Sequence, residues 1–208
     1  MSVRARLFAA LYDRQMHRVE AAGLGALRER LLGRAGGRVL EIGSGTGANL
    51  RLLAPGAESL TVTEPEAPML SRLERRVQQE APAATVHRVS AEELPFADQS
   101  FDVVVSTLVL CGVGDQPRAL AEVRRVLRPG GRLLFLEHVR STDLQVARAQ
   151  DALNPVNRFF VRCNCNRATV EAIEHAGFAI ESVERLAMPK APFFIRPIAL
   201  GTAARPAA

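Results

Sequence analysis

At 208 residues the chain is near the size of one domain and long enough to bury a sizeable core; with 48% hydrophobic and 24% charged residues it reads as a globular protein. No apolar run reaches the ~18 residues of a membrane-spanning helix; the longest, Val103 to Val113, is broken by Ser106, Thr107 and Gly112. The net charge of +5 is carried almost entirely by arginine (Lys190 is the only lysine), and the arginines are scattered beside acids, as in Glu29-Arg30 and Glu74-Arg75-Arg76, which reads as solvated helix surface and argues against a nucleic-acid groove.

Arg4 to Leu32 has helical spacing, with Leu7, Phe8, Leu11 and Val19 near one face, and predicts one or two helices ahead of the core. Met1-Ser-Val-Arg-Ala-Arg has no long apolar stretch behind it, so no cleaved leader and a cytoplasmic location are expected. Strands are predicted over Arg38–Ile42, Ser59–Thr63, Thr85–Val89, Phe101–Ser106 and Arg132–Glu137. Helices are predicted over Ala48–Leu53, Pro68–Glu80 and Pro117–Leu127. Ser141 to Arg167 reads as mixed and partly helical. Thr169–His175 reads as a helix closed by Gly177. Phe178–Leu186 and Phe193–Leu200 read as two strands, and Ala203 to Ala208 as a frayed tail. Strand and helix alternate repeatedly, which predicts a doubly wound, Rossmann-like α/β sheet, mostly parallel, with helices on both faces. The last two strands have no helix between them and should pair antiparallel.

The loop Gly43-Ser-Gly-Thr-Gly follows the first strand directly, and glycines on alternate positions let a ligand approach backbone amides. The helix after it should add free N–H groups and a positive dipole end. The loop also fits a loose dinucleotide fingerprint through Gly43, Gly45 and Ala48. Two acids qualify that reading. Glu41 sits just before the first glycine, where a carboxylate repels a pyrophosphate and attracts an ammonium or sulfonium. Glu64 ends the second strand, about 20 residues beyond that glycine, where an acid can accept both ribose hydroxyls of either kind of nucleotide. The stretches Ser90-Ala-Glu-Glu-Leu-Pro-Phe, Ser100-Phe-Asp and Leu127-Arg-Pro-Gly-Gly are not part of a dinucleotide-binding pattern.

Together these motifs, from about Arg38 to Val139, resemble the class I S-adenosylmethionine-dependent methyltransferases, in their small-molecule branch. The resemblance implies S-adenosyl-L-methionine as donor and S-adenosyl-L-homocysteine as product. It implies a cofactor site of Glu41, Gly43, Ser44, Gly45, Thr46, Gly47, Glu64, Pro65, Met69, Ser90, Ala91, Glu92 and Thr107. Ser90 departs from relatives that carry an aspartate near the adenine. A second set, Ser106-Thr-Leu-Val-Leu-Cys-Gly-Val, Leu136-Glu-His-Val and Cys163-Asn, is similar to the methyltransferase-like protein seven family of thiol S-methyltransferases. Phospholipid N-methyltransferases and quinone C-methyltransferases share overlapping patterns. The implied layout is a single domain over 1–208, with a helical lid (1–35), a cofactor core (38–139), a substrate-side insertion (141–167) and a C-terminal helix and strands (168–205).

His138, just past the fifth strand, is the candidate base, in the place where ligands gather in open α/β sheets. Tyr12, Cys111 and Cys163 are candidate lining for the pocket of a small-molecule acceptor. The three cysteines Cys111, Cys163 and Cys165 predict reduced thiols and no metal site. The leading segment, with Arg4, Arg6, Phe8, Leu11 and Arg14, is a candidate for peripheral contact with an anionic membrane. A nucleic-acid methylase is disfavoured. Ser106-Thr-Leu-Val stands where amino-directed base methylases carry an Asn/Asp-Pro-Pro-aromatic cluster, and the chain has no tryptophan and one tyrosine to stack a flipped base. The remaining rivals are a dehydrogenase and a donor-binding regulator without turnover.

Overall fold

The computed structural model describes residues 16–207. Among these, seven strands form one sheet in the order β3-β2-β1-β4-β5-β7-β6. β1 (Gly37–Ile42), β2 (Ala57–Thr63), β3 (Thr85–His87), β4 (Phe101–Thr107) and β5 (Leu127–His138) run parallel, and β7 (Pro197–Ala204) lies antiparallel between β5 and β6 (Ala179–Ala187). The helices are α1 (Gly25–Leu32), α2 (Leu50–Leu53), α3 (Ala67–Glu80), α4 (Gln116–Val126), α5 (Leu144–Val161) and α6 (Thr169–His175). This is the expected doubly wound sheet with its antiparallel C-terminal pair.

The central strands are apolar on both faces because both are covered. Leu40, Ile42, Val104, Leu133 and Phe135 pack with Leu120 and Val123 of α4 and Ile173 of α6. Their neighbours Val39, Val103, Val105, Leu134 and Leu136 pack with Leu31 and Leu32 of α1, Leu53 of α2 and Leu73 of α3. Alternation by two along each strand therefore sorts the core into two layers.

Several boundaries differ from expectation, each for a local reason. The helix expected over Ala48–Leu53 shrinks to the single turn α2, because Gly47 is still in a left-handed conformation (φ +87°) and Asn49 is drawn into a buried polar network. Strand β3 stops two residues early, at His87. Strand β5 starts at Leu127, so Pro129-Gly130-Gly131 forms an irregularity within it rather than a separate turn before it. The mixed region contains the 18-residue helix α5, started by the Asp143 carboxylate accepting from the Gln145 and Val146 amides. Strand β7 begins at Pro197, not Phe193, since Ile195 and Arg196 turn back to donate to the Pro192 carbonyl. The tail is not frayed at Ala203: Ala203 and Ala204 lie in β7, and the Arg205 guanidinium bonds the carbonyls of Arg124, Arg125 and Leu127 at the end of α4. Ahead of α1, a π-turn over Glu20–Leu24 bends at Gly23, whose φ of +131° suits glycine alone. Tyr12 and the Arg4–Arg14 segment lie outside the described residues.

Candidate active site

The strand order reverses between β1 and β4, and in open α/β sheets the crevice beyond the carboxyl ends of such strands is where ligands bind. The glycine loop lies at this point. A Cβ on Gly43 would come within 2.7 Å of Val109 Cγ1, and one on Gly47 within 2.7 Å of Leu50 Cδ1, so these two glycines serve close packing. Gly45 has φ +59° and nothing within 4 Å of its Cβ position, so its backbone borders open space. The loop is tied to β2 by Ser44 N donating to Thr63 O at 2.7 Å and Gly45 N donating to Glu64 Oε2 at 3.0 Å. The expected helix-dipole contribution is not built, since α2 starts three residues past the last glycine and makes a single turn.

Behind the loop is a buried polar network. Asn49 Nδ2 donates to Glu41 Oε1 (2.5 Å) and to Thr107 Oγ1 (2.9 Å). Arg28 Nη1 donates to Asn49 Oδ1 (3.0 Å) and Thr107 Oγ1 (2.8 Å), and Arg28 Nε pairs with Glu20 (3.0 Å). Glu41 Oε2 and Ser44 Oγ are buried and have no hydrogen-bond partner. An unpartnered carboxylate oxygen costs free energy unless a donor reaches it, so this is the atom a cationic ligand would satisfy. Burial pushes the Glu41 carboxyl above the usual carboxylate range, against the pull of the neighbouring Ser44, Asn49 and Arg28. The electrostatics are thus less simply negative than Glu41 alone implies: a guanidinium belongs to the same network, with Glu20 countering it.

Glu64, at the end of β2, is also buried, and burial raises its pKa although its oxygens accept from the Gly45 and Glu66 amides. Its neighbour Pro65 is exposed, and Met69 is buried in the first turn of α3. Thr46 is buried in the loop, and its carbonyl accepts from Arg76 at 3.4 Å. After β3, Ser90 Oγ bonds Glu92, whose other oxygen accepts from the Gly114 and Asp115 amides at 2.8 and 3.3 Å. Ala91 beside them is buried in the core. Glu92 is therefore committed to bracing the segment that follows β4.

At the end of β4, Leu108 takes a left-handed conformation (φ +61°), which is uncommon for a branched residue and reverses the chain. The amides of Val109, Leu110 and Cys111 then point at one carboxylate. Glu137, fully buried on β5, accepts from Ser106 Oγ (2.7 Å), Val109 N (2.9 Å), Leu110 N (3.1 Å) and Cys111 N (3.2 Å). Burial raises its pKa and these four bonds oppose the rise. The adjacent His138 points elsewhere. It is buried beside the backbone of Ile195 and Pro197, its Nδ1 has no partner, and burial lowers its pKa to about 4. That makes it neutral near pH 7 but a poor acceptor for the proton of a thiol, whose ordinary pKa is ~8.5.

Cys111 and Cys163, expected to line an acceptor pocket, are instead buried against Cys165, Phe194 and Ile195. Cys111 is pushed well above the ordinary thiol range by the Cys163 thiol and by burial, and burial takes Cys165 up to about 11. The three thiols pack together there, and the Asn164 amide, donating to the Cys111 carbonyl (2.8 Å), draws the segment after α5 onto the loop after β4.

Of the residues expected at the site, Glu41, Gly43, Ser44, Gly45, Thr46, Gly47, Glu64 and Thr107 gather at the switch point. Sequence reasoning missed Arg28, Asn49 and Glu137. Asn49 carried a signal, since an amide two residues past the last glycine is well placed to reach back to Glu41. Arg28 carried none, lying 79 positions from Thr107.

A family model described as a methyltransferase domain matches residues 40–135. The human thiol S-methyltransferase TMT1A is 34% identical over 95% of this chain and 83% of its own length. The ubiquinone/menaquinone biosynthesis C-methyltransferase UbiE of Hahella chejuensis is 39% identical over 57% of this chain and 49% of its own length. Among solved structures, a methyltransferase from Thermotoga maritima described as a possible histamine N-methyltransferase superposes with a TM-score of 0.70 at 24% identity, covering 99% of this chain and all of that one. The matched span holds the glycine loop, Glu64 and most of β5, the parts that build the crevice. The chain belongs to the S-adenosylmethionine-dependent methyltransferases, in the family of the thiol S-methyltransferase TMT1A.

Proposed function

We propose that the enzyme methylates the sulfur of a small, apolar thiol. The observation that carries this reading is the similarity to TMT1A along 95% of the chain, beyond the cofactor core and through the acceptor-side half. The residues present fit S-adenosylmethionine. Glu41 Oε2 is a buried acceptor in need of a donor beside the unpaired Ser44 hydroxyl, Gly45 leaves room at the backbone, and Glu64 stands where ribose hydroxyls are held in this fold. When bound, the donor supplies an electrophilic methyl group on a sulfonium. The chain's own residues orient the reactants and exclude water from them. Glu41, held by Asn49, binds and orients the ammonium end. Glu137 fixes the loop after β4 against the glycine loop, through Val109 packed on Gly43. Burial holds His138 a weak base, so the acceptor reacts as a thiolate formed in solution.

The test is an acceptor screen with methyl-labelled donor, covering alkyl thiols, quinones, phenols and phosphatidylethanolamine. Label on an alkyl thiol supports the reading. Label on a quinone, or on phosphatidylethanolamine with thiols untouched, overturns it. Binding of S-adenosylhomocysteine without turnover of any acceptor makes the protein a regulator.

A further inference from the structure

Helix α5 is built inside out. Its inward stripe, at i, i+3, i+7 and i+10, is Ala147, Gln150, Asn154 and Asn157, three of them polar. Gln150 Nε2 bonds the carbonyls of Val139 and Cys165, and Asn157 Nδ2 bonds that of Cys163. Its apolar residues face out: Val156 is 57% exposed and Phe160 63%, with Leu153 and Val161 beside them. The loop between β6 and β7 does the same with Phe193, 56% exposed, while its neighbour Phe194 packs on the cysteine cluster that follows α5. Two projecting apolar tips therefore flank one cluster.

The charge around them is mainly basic, with Glu66, paired to Arg162, as an acid at the edge. From Ala152 to Arg162 the ionisable residues are Arg158 and Arg162, and from Met188 to Arg196 they are Lys190 and Arg196; neither stretch holds an acid. Clustered exposed apolar side chains mark an interaction surface. A basic rim repels a second copy of itself and complements anionic headgroups, and aromatic tips suit the boundary of headgroups and acyl chains. The surface also borders the site: Arg162 pairs with Glu66, two residues past Glu64, and Asn164 joins the loop after β4.

We infer that the C-terminal half of α5 and the β6–β7 loop form a docking surface for an anionic lipid bilayer, which delivers apolar acceptors to the crevice from the membrane. Only the delivery clause rests on the acceptor reading above. The docking itself is measured with no acceptor present, so the two fail separately.

The experiment is flotation of the purified full chain with vesicles of phosphatidylglycerol and phosphatidylcholine, against phosphatidylcholine alone. The protein is expected to float with the anionic vesicles, about tenfold more tightly than with neutral ones, and to be released by salt. Val156→Asp with Phe160→Asp, and separately Phe193→Asp, should each cut vesicle binding by about tenfold or more while S-adenosylhomocysteine binding and thermal unfolding stay unchanged. These positions are exposed, so the variants fold. A wild-type chain that stays soluble with both vesicle types overturns the inference, as does a double variant that floats as well as wild type. Sedimentation showing a dimer that the double variant dissolves would give the surface to a second copy instead.

Discussion

Removing the Glu137 carboxylate probes how the two loops at the crevice are held. In Glu137→Ala, four donors lose their acceptor: the Ser106 hydroxyl and the amides of Val109, Leu110 and Cys111. Each buried donor left unsatisfied costs about 1–3 kcal/mol, and water entering the vacated volume recovers part of it. A net loss of about 3–5 kcal/mol follows, the size seen when one side of a buried charged interaction is deleted. At about 2–4 °C per kcal/mol for a chain of this length, the unfolding midpoint should fall by roughly 6–20 °C. Glu137→Gln retains an oxygen for the three donors now served by Oε1 but turns an N–H group towards the Cys111 amide. Its fall should be roughly half as large. Circular dichroism melts of the three proteins make the measurement. A fall under about 2 °C for the alanine variant would refute the claim that Glu137 holds this loop, whatever happens to activity.

Glu64→Ala should weaken S-adenosylhomocysteine binding by about 1–3 kcal/mol in calorimetry, since it removes both the ribose-side acceptor and the Gly45 amide's partner; unchanged affinity in the folded variant would take Glu64 out of the site. Arg28→Ala strips a buried donor from Asn49 and Thr107 and leaves Glu20 without its ion pair, so donor affinity and stability should drop together, and a stable variant with full affinity would show that the network is not needed. Donor affinity should rise with pH. Glu41 and Glu64 have raised pKa values in the free protein, so each favours the fold most below its unfolded value of 4.5 and loses that contribution as pH climbs through its folded value. A bound ammonium prefers the ionised carboxylate, so binding releases protons and tightens as pH climbs above 4.5, before levelling; affinity that does not rise with pH there would contradict this. His138→Ala should keep turnover of a thiol, with the pH–rate profile still following the acceptor's own ionisation; a large fall in kcat with donor affinity intact would make His138 a base after all.

What the sequence determined by itself is what depends on near neighbours along the chain. Largely apolar runs marked β4 and much of β5, because strands covered on both faces need no polar side. Alternate glycines marked the loop, because few other residues accept the left-handed angles at Gly43, Gly45 and Gly47. The acids at the ends of β1 and β2 were legible from strand ends and spacing. Tertiary structure alone decided which distant groups share a hydrogen bond. It brought Arg28 to Thr107 and Glu137 to the amides beyond β4, contacts set by strand order and helix crossover that leave no local trace. The same cause inverted α5: Gln150 and Asn157 point inward because carbonyls freed at the ends of neighbouring elements need donors there, and that demand turned the helix's aromatic side to the outside.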